Sequence, residues 1–358
     1  MSDKGSHLSL KEIKVKNQTA LVFGAGAFGT AIASVLSNNF KRVILKVRSQ
    51  DVYDALKGER ENKIYLPGQK IPDNLYPALT WDEVSELVEG KVELLVSGLP
   101  TKAIGEFCKD NYDVLLSYLA QGIPCVSLAK GMDSDTLELP NDIYYHHFAD
   151  FRDNFTYLSG PSFAKEIMDK NPTAVSLAGR DRQVLEKILT YMETPYFKIL
   201  PCFDVRGVLL GGALKNLLAI AGGIVEGLGF GHNTTAAMIT MGITEMLRFG
   251  VVYNARPETF YGLSGMGDII LSVTGNLSRN KQFGFEIASG GNPKEIINSH
   301  RFTVEGHKTT KAAYFLAEKY QIKARLSRGL YNVLYEFKDP MEEVEKLMKL
   351  PSRFQNII

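Results

Sequence analysis

The stretch that most constrains this chain lies near its start, where the apolar run TALVF (19–23) leads directly into Gly24-Ala25-Gly26-Ala27-Phe28-Gly29 and then into the helix-like TAIASVLS. Three glycines at this spacing meet three different needs. The first permits a tight turn after a strand, the second lets backbone approach a pyrophosphate, and the third lets the following helix pack closely on the strand. The new helix then offers free N–H donors to the phosphates. Glycine-rich turns also arise for structural reasons alone, so it is the flanking strand and helix that turn the spacing into a dinucleotide site. Gly24, Gly26, Ala27, Phe28 and Gly29 are its candidate contacts. Phe28 either touches the cofactor or covers the sheet.

The rest of the first half repeats the same alternation of short apolar runs and amphipathic segments, the pattern of βαβ units around a parallel sheet. Further strands are expected at RVILKV (42–47), ELLVS (93–97), PCVSL (124–128), TYLSG (156–160) and AVSLA (174–178). Helices are expected at Thr30–Ser37, Trp81–Val88 and Thr101–Leu119. Beyond about residue 200 long helical patterns take over and β-branched runs become scarce. At 358 residues the chain suits two domains: a polar tail over 1–17, a dinucleotide-binding domain over 18–203, and a helical substrate domain over 204–358, with the boundary near Pro201.

Charge is balanced, 41 Lys and Arg against 40 Asp and Glu, so no bulk field draws the chain to nucleic acid or to an anionic membrane. Any anionic ligand must be held by local groups. Cys108, Cys125 and Cys202 are far apart and show no metal-ligand spacing, which suits a reducing compartment and points to no metal site. The N-terminal residues lack an apolar signal core, and the expected location is the cytoplasm. One run, Gly207–Val225, approaches membrane-spanning length and no other does; Lys215 and Asn216 at its centre favour a buried core helix.

Lys215, in GGALKNLLAI, asks for an explanation, because a buried ammonium is costly unless paired. It either snorkels to solvent or exchanges a proton with a substrate. On a helix its face would carry Gly211, Gly212, Ala219 and Gly222, leaving beside it a gap that a small substrate could fill. Downstream, GLSGMGD presents Asp268 after three glycines, and Ser278-Arg279-Asn280 gathers three hydrogen-bonding groups, with Arg279 suited to clamp a phosphate or carboxylate. Asp268 and Ser278 could equally be helix caps. Lys130 follows the strand PCVSL at the carboxyl edge where α/β sheets bind ligands. Ser162, in SGPSFAKE, is either an N-cap or a ligand-facing hydroxyl. At the end of the second strand no acidic residue awaits a ribose hydroxyl; Arg48 stands there instead, suited to the 2′-phosphate of NADP or else a solvated strand-end charge. The cofactor is therefore NADP or NAD. A dinucleotide domain joined to a helical domain with these groups suggests hydride transfer to a small anionic carbonyl compound.

Taken in order, GAGAFGTA, ENKIYLPG, LAKGM, SGPSFAKE, GGALKNLLAIAGGIVEGLGFGHNTTAAMIT, GLSGMGDIILS, LSRN and VEGHKTT resemble the NAD(P)-dependent glycerol-3-phosphate dehydrogenase family of the bacterial type, from about Ala20 to about Phe337. The resemblance implies an α/β, Rossmann-like N-terminal domain, an all-α C-terminal substrate domain, and interconversion of dihydroxyacetone phosphate and sn-glycerol 3-phosphate for glycerophospholipid synthesis. It makes Lys215 the proton donor to the carbonyl oxygen, Asp268 the carboxylate beside it, and Lys130 a contact of both substrate and cofactor. Gly160, Ser162, Ser272, Ser278, Arg279 and Asn280 match substrate positions, while Phe28, Arg48, Ala164, Arg279 and Glu305 match cofactor contacts. Ala27 stands where Ser or Asn is frequent, Lys46 where tryptophan is frequent, Met241 where an arginine is expected, and Thr303 where a hydrophobic residue is expected. A β-hydroxyacid dehydrogenase would space its glycines differently before the lysine and lacks an LSRN segment. A non-catalytic dinucleotide sensor would have no need of a proton donor. The oligomeric state stays open, with a homodimer as the state to test.

Overall fold

The computed structural model describes residues 15–299 and 304–349. Eight strands, β1 (Val15–Phe23), β2 (Phe40–Lys46), β3 (Leu75–Ala78), β4 (Lys91–Ser97), β5 (Cys125–Ser127), β6 (Phe155–Ser159), β7 (Thr173–Ala178) and β8 (Phe197–Cys202), form one sheet in the order β3-β2-β1-β4-β5-β6-β7-β8. Every neighbouring pair is parallel except β6 and β7. The chain's order across the sheet reverses between β1 and β4, and a doubly wound sheet opens a ligand crevice at the carboxyl ends of the strands on either side of such a reversal.

All six expected strands are present, and two more were not anticipated. β3 reads LYPA, in which Pro77 weakens any strand pattern, and it lies at the sheet edge where proline is tolerated. β8 reads FKILPC and closes the opposite edge, with Lys198, Leu200 and Pro201 turned to solvent. β1 begins at Val15, inside the span expected to be tail, where Val15 pairs with Phe40. The expected helix over 101–119 is two, Thr101–Asp110 and Tyr112–Leu119, broken at Asn111.

The inner strands are apolar on both faces because both are covered, as a parallel sheet requires. Leu21, Ile44 and Leu95 point to one side and Val22, Leu45 and Val96 to the other, all essentially fully buried. The first of these cores runs on without a break into Leu210, Leu214 and Leu217 of the helical half.

Helix α1 (Ala27–Leu36) leaves the glycine loop. After β8 the described residues form helices only. Helix α2 (Val205–Gly227) is started by Asp204, whose carboxylate accepts from the Gly207 amide at 2.9 Å and is also held by the Arg256 amide and the Thr259 hydroxyl, each at 2.7 Å. It is apolar all round, as befits a helix in the middle of a core, and 94% of its most apolar window is buried. A second helix, α3 (His232–Val252), also meets the length and hydropathy of a membrane span, contrary to the expectation that only one segment would; 44% of its window is buried by protein. Met241 lies exposed on α3, and Thr303 falls outside the described residues. The remaining helices that bear on the site are α4 (Asp268–Thr274), α5 (Arg279–Ala288) and α6 (Glu305–Lys319).

Candidate active site

The loop after β1 divides the labour of its glycines as the spacing predicts. Gly24 has φ +104°, and a Cβ there would stand 2.7 Å from the carbonyl carbon of Gly98; one on Gly29 would stand 2.1 Å from the Gly24 oxygen. Both positions are closed to any side chain. At Gly26, the N-cap residue of α1, a Cβ would meet nothing within 4 Å, so the backbone there faces open space at a helix N-terminus. A tight turn, a close helix–strand joint and an open anion-binding edge are what a pyrophosphate needs, and the loop fits a dinucleotide. Ala27 and Phe28 form the first turn of α1, and Ala164, at the start of a short helix over Ala164–Met168, packs against the same core.

Arg48 stands exposed two residues beyond β2 and, among the described residues, makes no hydrogen bond or ion pair. Lys46, by contrast, is committed. Its ammonium donates to the Leu79 carbonyl at 2.8 Å and lies 5.5 Å from the centre of the Trp81 ring, and burial lowers its pKa.

Lys130, Lys215 and Asp268 meet at the crevice. Asp268, 1% exposed, points one carboxylate oxygen at each lysine: Oδ1 lies 3.0 Å from Lys215 Nζ and Oδ2 lies 2.8 Å from Lys130 Nζ. Lys215 also donates to Ser272 Oγ at 2.8 Å, and Lys130 to the Gly160 carbonyl at 2.8 Å and to Ser162 Oγ at 3.4 Å. The Phe28 ring lies 5.4 Å from the Lys130 ammonium, so the loop that fits the pyrophosphate and the polar cluster adjoin. This arrangement answers how α2 tolerates a lysine: the charge is paired and hydrogen-bonded. Burial pushes the Asp268 carboxyl up, but the two ammonium groups outweigh it and hold it below its usual range; burial lowers Lys130 against the opposing pull of Asp268.

Neither Asp268 nor Ser162 is an N-cap. The helix that follows Asp268 is entered through a π-turn, Leu263–Gly267, with no side-chain cap, and the N-cap position after Ser162 is Phe163. Ser278 does cap its helix, accepting from the Lys281 amide at 3.3 Å, and its hydroxyl sits at the head of α5 beside Arg279 and Asn280.

The glycine face of α2 differs from expectation. It is not a gap. A Cβ on Gly211 would stand 2.7 Å from the Ser264 carbonyl oxygen, one on Gly212 2.6 Å from Ser159 Oγ, and one on Gly222 2.8 Å from Val273 Cγ1. The small residues admit the π-turn, β6 and α4 to close contact with α2. That contact is what carries Asp268 and Ser272 to Lys215.

A residue passed over in the sequence joins these parts. Asn216, 3% exposed, donates to the Lys130 carbonyl at 2.9 Å; Asn280 donates to Asn216 Oδ1 at 3.0 Å; and the Gly306 amide donates to Asn280 Oδ1 at 3.0 Å. This chain of carboxamides ties the Lys130 loop to α2, α5 and α6. In the sequence Asn216 signals only a buried core helix, because its distant partners do not show there. Glu305 opens α6 one residue before Gly306, and burial pushes its carboxyl up to about 7 despite the Lys215, Lys130 and Arg279 charges nearby. Burial likewise lowers Arg279, opposed by Glu305. Of the residues singled out from sequence, Lys130, Gly160, Ser162, Lys215, Asp268 and Ser272 are in direct contact and Asn280 reaches them through Asn216, while Arg48, exposed beyond β2, makes none of these contacts.

Two family models match the chain: the N-terminus of NAD-dependent glycerol-3-phosphate dehydrogenase over residues 19–185 and its C-terminus over 204–345. Glycerol-3-phosphate dehydrogenase, NAD(P)+, of Solidesulfovibrio magneticus is 38% identical over 91% of this chain and 97% of its own length. The enzyme of the same description from Leptospira biflexa is 37% identical, covering 91% and 96%. Among solved structures, glycerol-3-phosphate dehydrogenase of Coxiella burnetii superposes with a TM-score of 0.83 at 30% identity, covering 94% of this chain and 99% of that one.

Proposed function

Because the chain belongs to the NAD-dependent glycerol-3-phosphate dehydrogenase family, we propose that it interconverts dihydroxyacetone phosphate and sn-glycerol 3-phosphate with NAD(P) and so feeds glycerophospholipid synthesis. The observation that carries this reading is the pair of lysines held on one buried carboxylate, Lys215 and Lys130 on Asp268, next to a loop that fits a dinucleotide.

The bound nicotinamide cofactor supplies the hydride for the carbonyl carbon. Lys215 holds the proton that the carbonyl oxygen takes up as its negative charge develops, and in the reverse direction it removes the hydroxyl proton. Asp268 pairs with Lys215 and aims it, with Ser272 fixing the ammonium from a second side. Lys130 places a second positive charge at the same spot, so that an oxyanion forming there meets two fixed cations in a largely buried site. Ser278, Arg279 and Asn280, at the N-terminus of α5, hold the substrate phosphate, with Arg279 as the planar clamp. Gly24, Gly26, Ala27, Phe28 and Gly29 take the pyrophosphate and Arg48 the ribose end, with Ala164, Lys130, Arg279 and Glu305 lining the path to the reacting carbon.

The division of labour at residues 203/204 is supported by the last strand, which ends at Cys202, and by the C-terminal family model, which begins at residue 204, while the N-terminal one ends at residue 185. The working form is a cytoplasmic homodimer; light scattering of the purified protein reads the dimer directly. The deciding experiment is spectrophotometric: NADPH or NADH oxidation with dihydroxyacetone phosphate, by the intact protein and by Lys215→Ala. No turnover with either cofactor, or near-normal turnover by the variant, overturns the reading.

A further inference from the structure

A cavity of about 390 Å³ opens among four segments, one from the dinucleotide half and three from the helical half. Its size lies within the range of small-molecule sites. Its walls are Leu137 from the loop that follows Lys130, Arg206 from the first turn of α2, Tyr253 and Asn254 from the end of α3, and Lys319 and Tyr320 from the end of α6. Polar capacity is left unspent around it. Arg206 commits two of its five N–H donors to Asp142, at 2.8 and 2.9 Å, while its guanidinium lies over the Tyr253 ring at 5.6 Å. Among the described residues the Lys319 ammonium has no ion pair, touching only the Tyr320 ring at 5.3 Å, and the Asn254 side-chain carboxamide and Tyr320 hydroxyl have no hydrogen bond. Asp142 neutralises one of the two cations; Lys319 leaves the rim with one net positive charge. Two residues of the wall also hold the left-handed backbone conformation, Leu137 at φ 62° and Asn254 at φ 53°. For leucine this is strained, and such strain gathers at ligand sites.

We propose that this cavity is a second, non-catalytic site for a small anion, a phosphate or carboxylate group on a compact skeleton, held by Lys319 and the free edge of Arg206 with the Tyr320 hydroxyl and Asn254 amide as further donors. Occupancy acts on the chemistry, because three of the four segments it would bridge lead to Lys130, to Lys215 and from Glu305. A ligand here tightens the far ends of the same elements that meet at Asp268.

The test uses the full chain labelled with fluorotyrosine and loaded with NAD+ so that the glycine loop is filled. Fluorine resonances of Tyr253 and Tyr320 are assigned with Tyr253→Phe and Tyr320→Phe, and pyrophosphate and citrate are titrated separately. Saturable shifts of these two resonances are expected with at least one probe, weakened about tenfold or more by Lys319→Glu, which reverses a charge at the rim. A response to pyrophosphate alone assigns a phosphate ligand, and to citrate alone a carboxylate. Absence of a saturable shift with both probes, or shifts that Lys319→Glu leaves unchanged, overturns the proposal. Lys319 is exposed, and an unaltered melting temperature of the variant keeps the comparison one of binding.

Discussion

Asp268 Oδ1 lies 3.0 Å from the Lys215 ammonium across two helices whose close approach depends on glycines without side chains, Gly222 against Val273 of α4 and Gly211 against the π-turn that leads into it. The proton-bearing group is thus held by a carboxylate with almost no exposure. Its pairing and its chemistry are separable by mutation.

Lys215→Ala is expected to lower kcat with dihydroxyacetone phosphate by about 100-fold to 10,000-fold, the usual worth of a positioned proton donor. Cofactor affinity, measured by fluorescence quenching, is expected to be nearly unchanged. A parallel loss of both would mean that the lysine holds the fold of the site and not the proton.

Removing the carboxylate is expected to act on stability as well. Asp268→Asn leaves two enclosed ammonium groups without their counter-charge, and breaking a buried pair in this way costs about 3–5 kcal/mol. Denaturant unfolding should show the loss as a lower midpoint. Asp268→Asn with Lys215→Met should recover part of it.

Arg48 is free to meet a ligand, whereas Lys46 two residues earlier is tied to Leu79 and Trp81. Arg48→Ala should therefore raise KM for NADPH more than for NADH. Equal changes for the two cofactors would remove Arg48 from any role in reading a 2′-phosphate.

Glu305 gives a pH dependence with a definite sign. Its folded pKa, about 7, lies above the usual 4.5, so the neutral form is favoured in the folded state. The stability this contributes is complete below the unfolded value and is lost as pH rises through about 7. Melting temperatures of wild type and Glu305→Gln should diverge between about pH 5 and pH 8, the wild type losing ground toward the alkaline end. A constant difference across that range would show that Glu305 does not titrate there.

The glycine face of α2 is open to a direct check. Gly211→Ala forces a methyl against the Ser264 carbonyl, which is backbone and cannot swing away. Overpacking of this kind typically costs about 1–3 kcal/mol. Were the face a substrate gap, the same change would instead raise KM and leave the melting temperature alone.

What could be read from the sequence followed from local rules. The strand, three glycines and helix of residues 19–37 form a unit whose geometry is set within itself, and the apolar strands announced a covered sheet. Lys215 was conspicuous because a charge in an apolar run violates an expectation that needs no knowledge of the fold. β3 and β8 escaped because edge strands bury little and tolerate proline. The meaning of Gly211 and Gly222 escaped because a glycine on a helix reads the same whether a substrate or a neighbouring backbone lies against it. Asn216 escaped for a related reason: its partners, Lys130 and Asn280, are 86 and 64 residues away.

Those separations bear on how the protein is made. The carboxamide chain from the Lys130 carbonyl through Asn216 and Asn280 to the Gly306 amide closes only when the last of them has been synthesised. The dinucleotide half is complete as a sheet by Cys202, more than a hundred residues earlier. A nascent chain on the ribosome can therefore shape its cofactor loop while the proton-transfer site is still missing a wall, and because closing distant contacts is the slow part of folding, activity should appear after cofactor binding in any refolding time course.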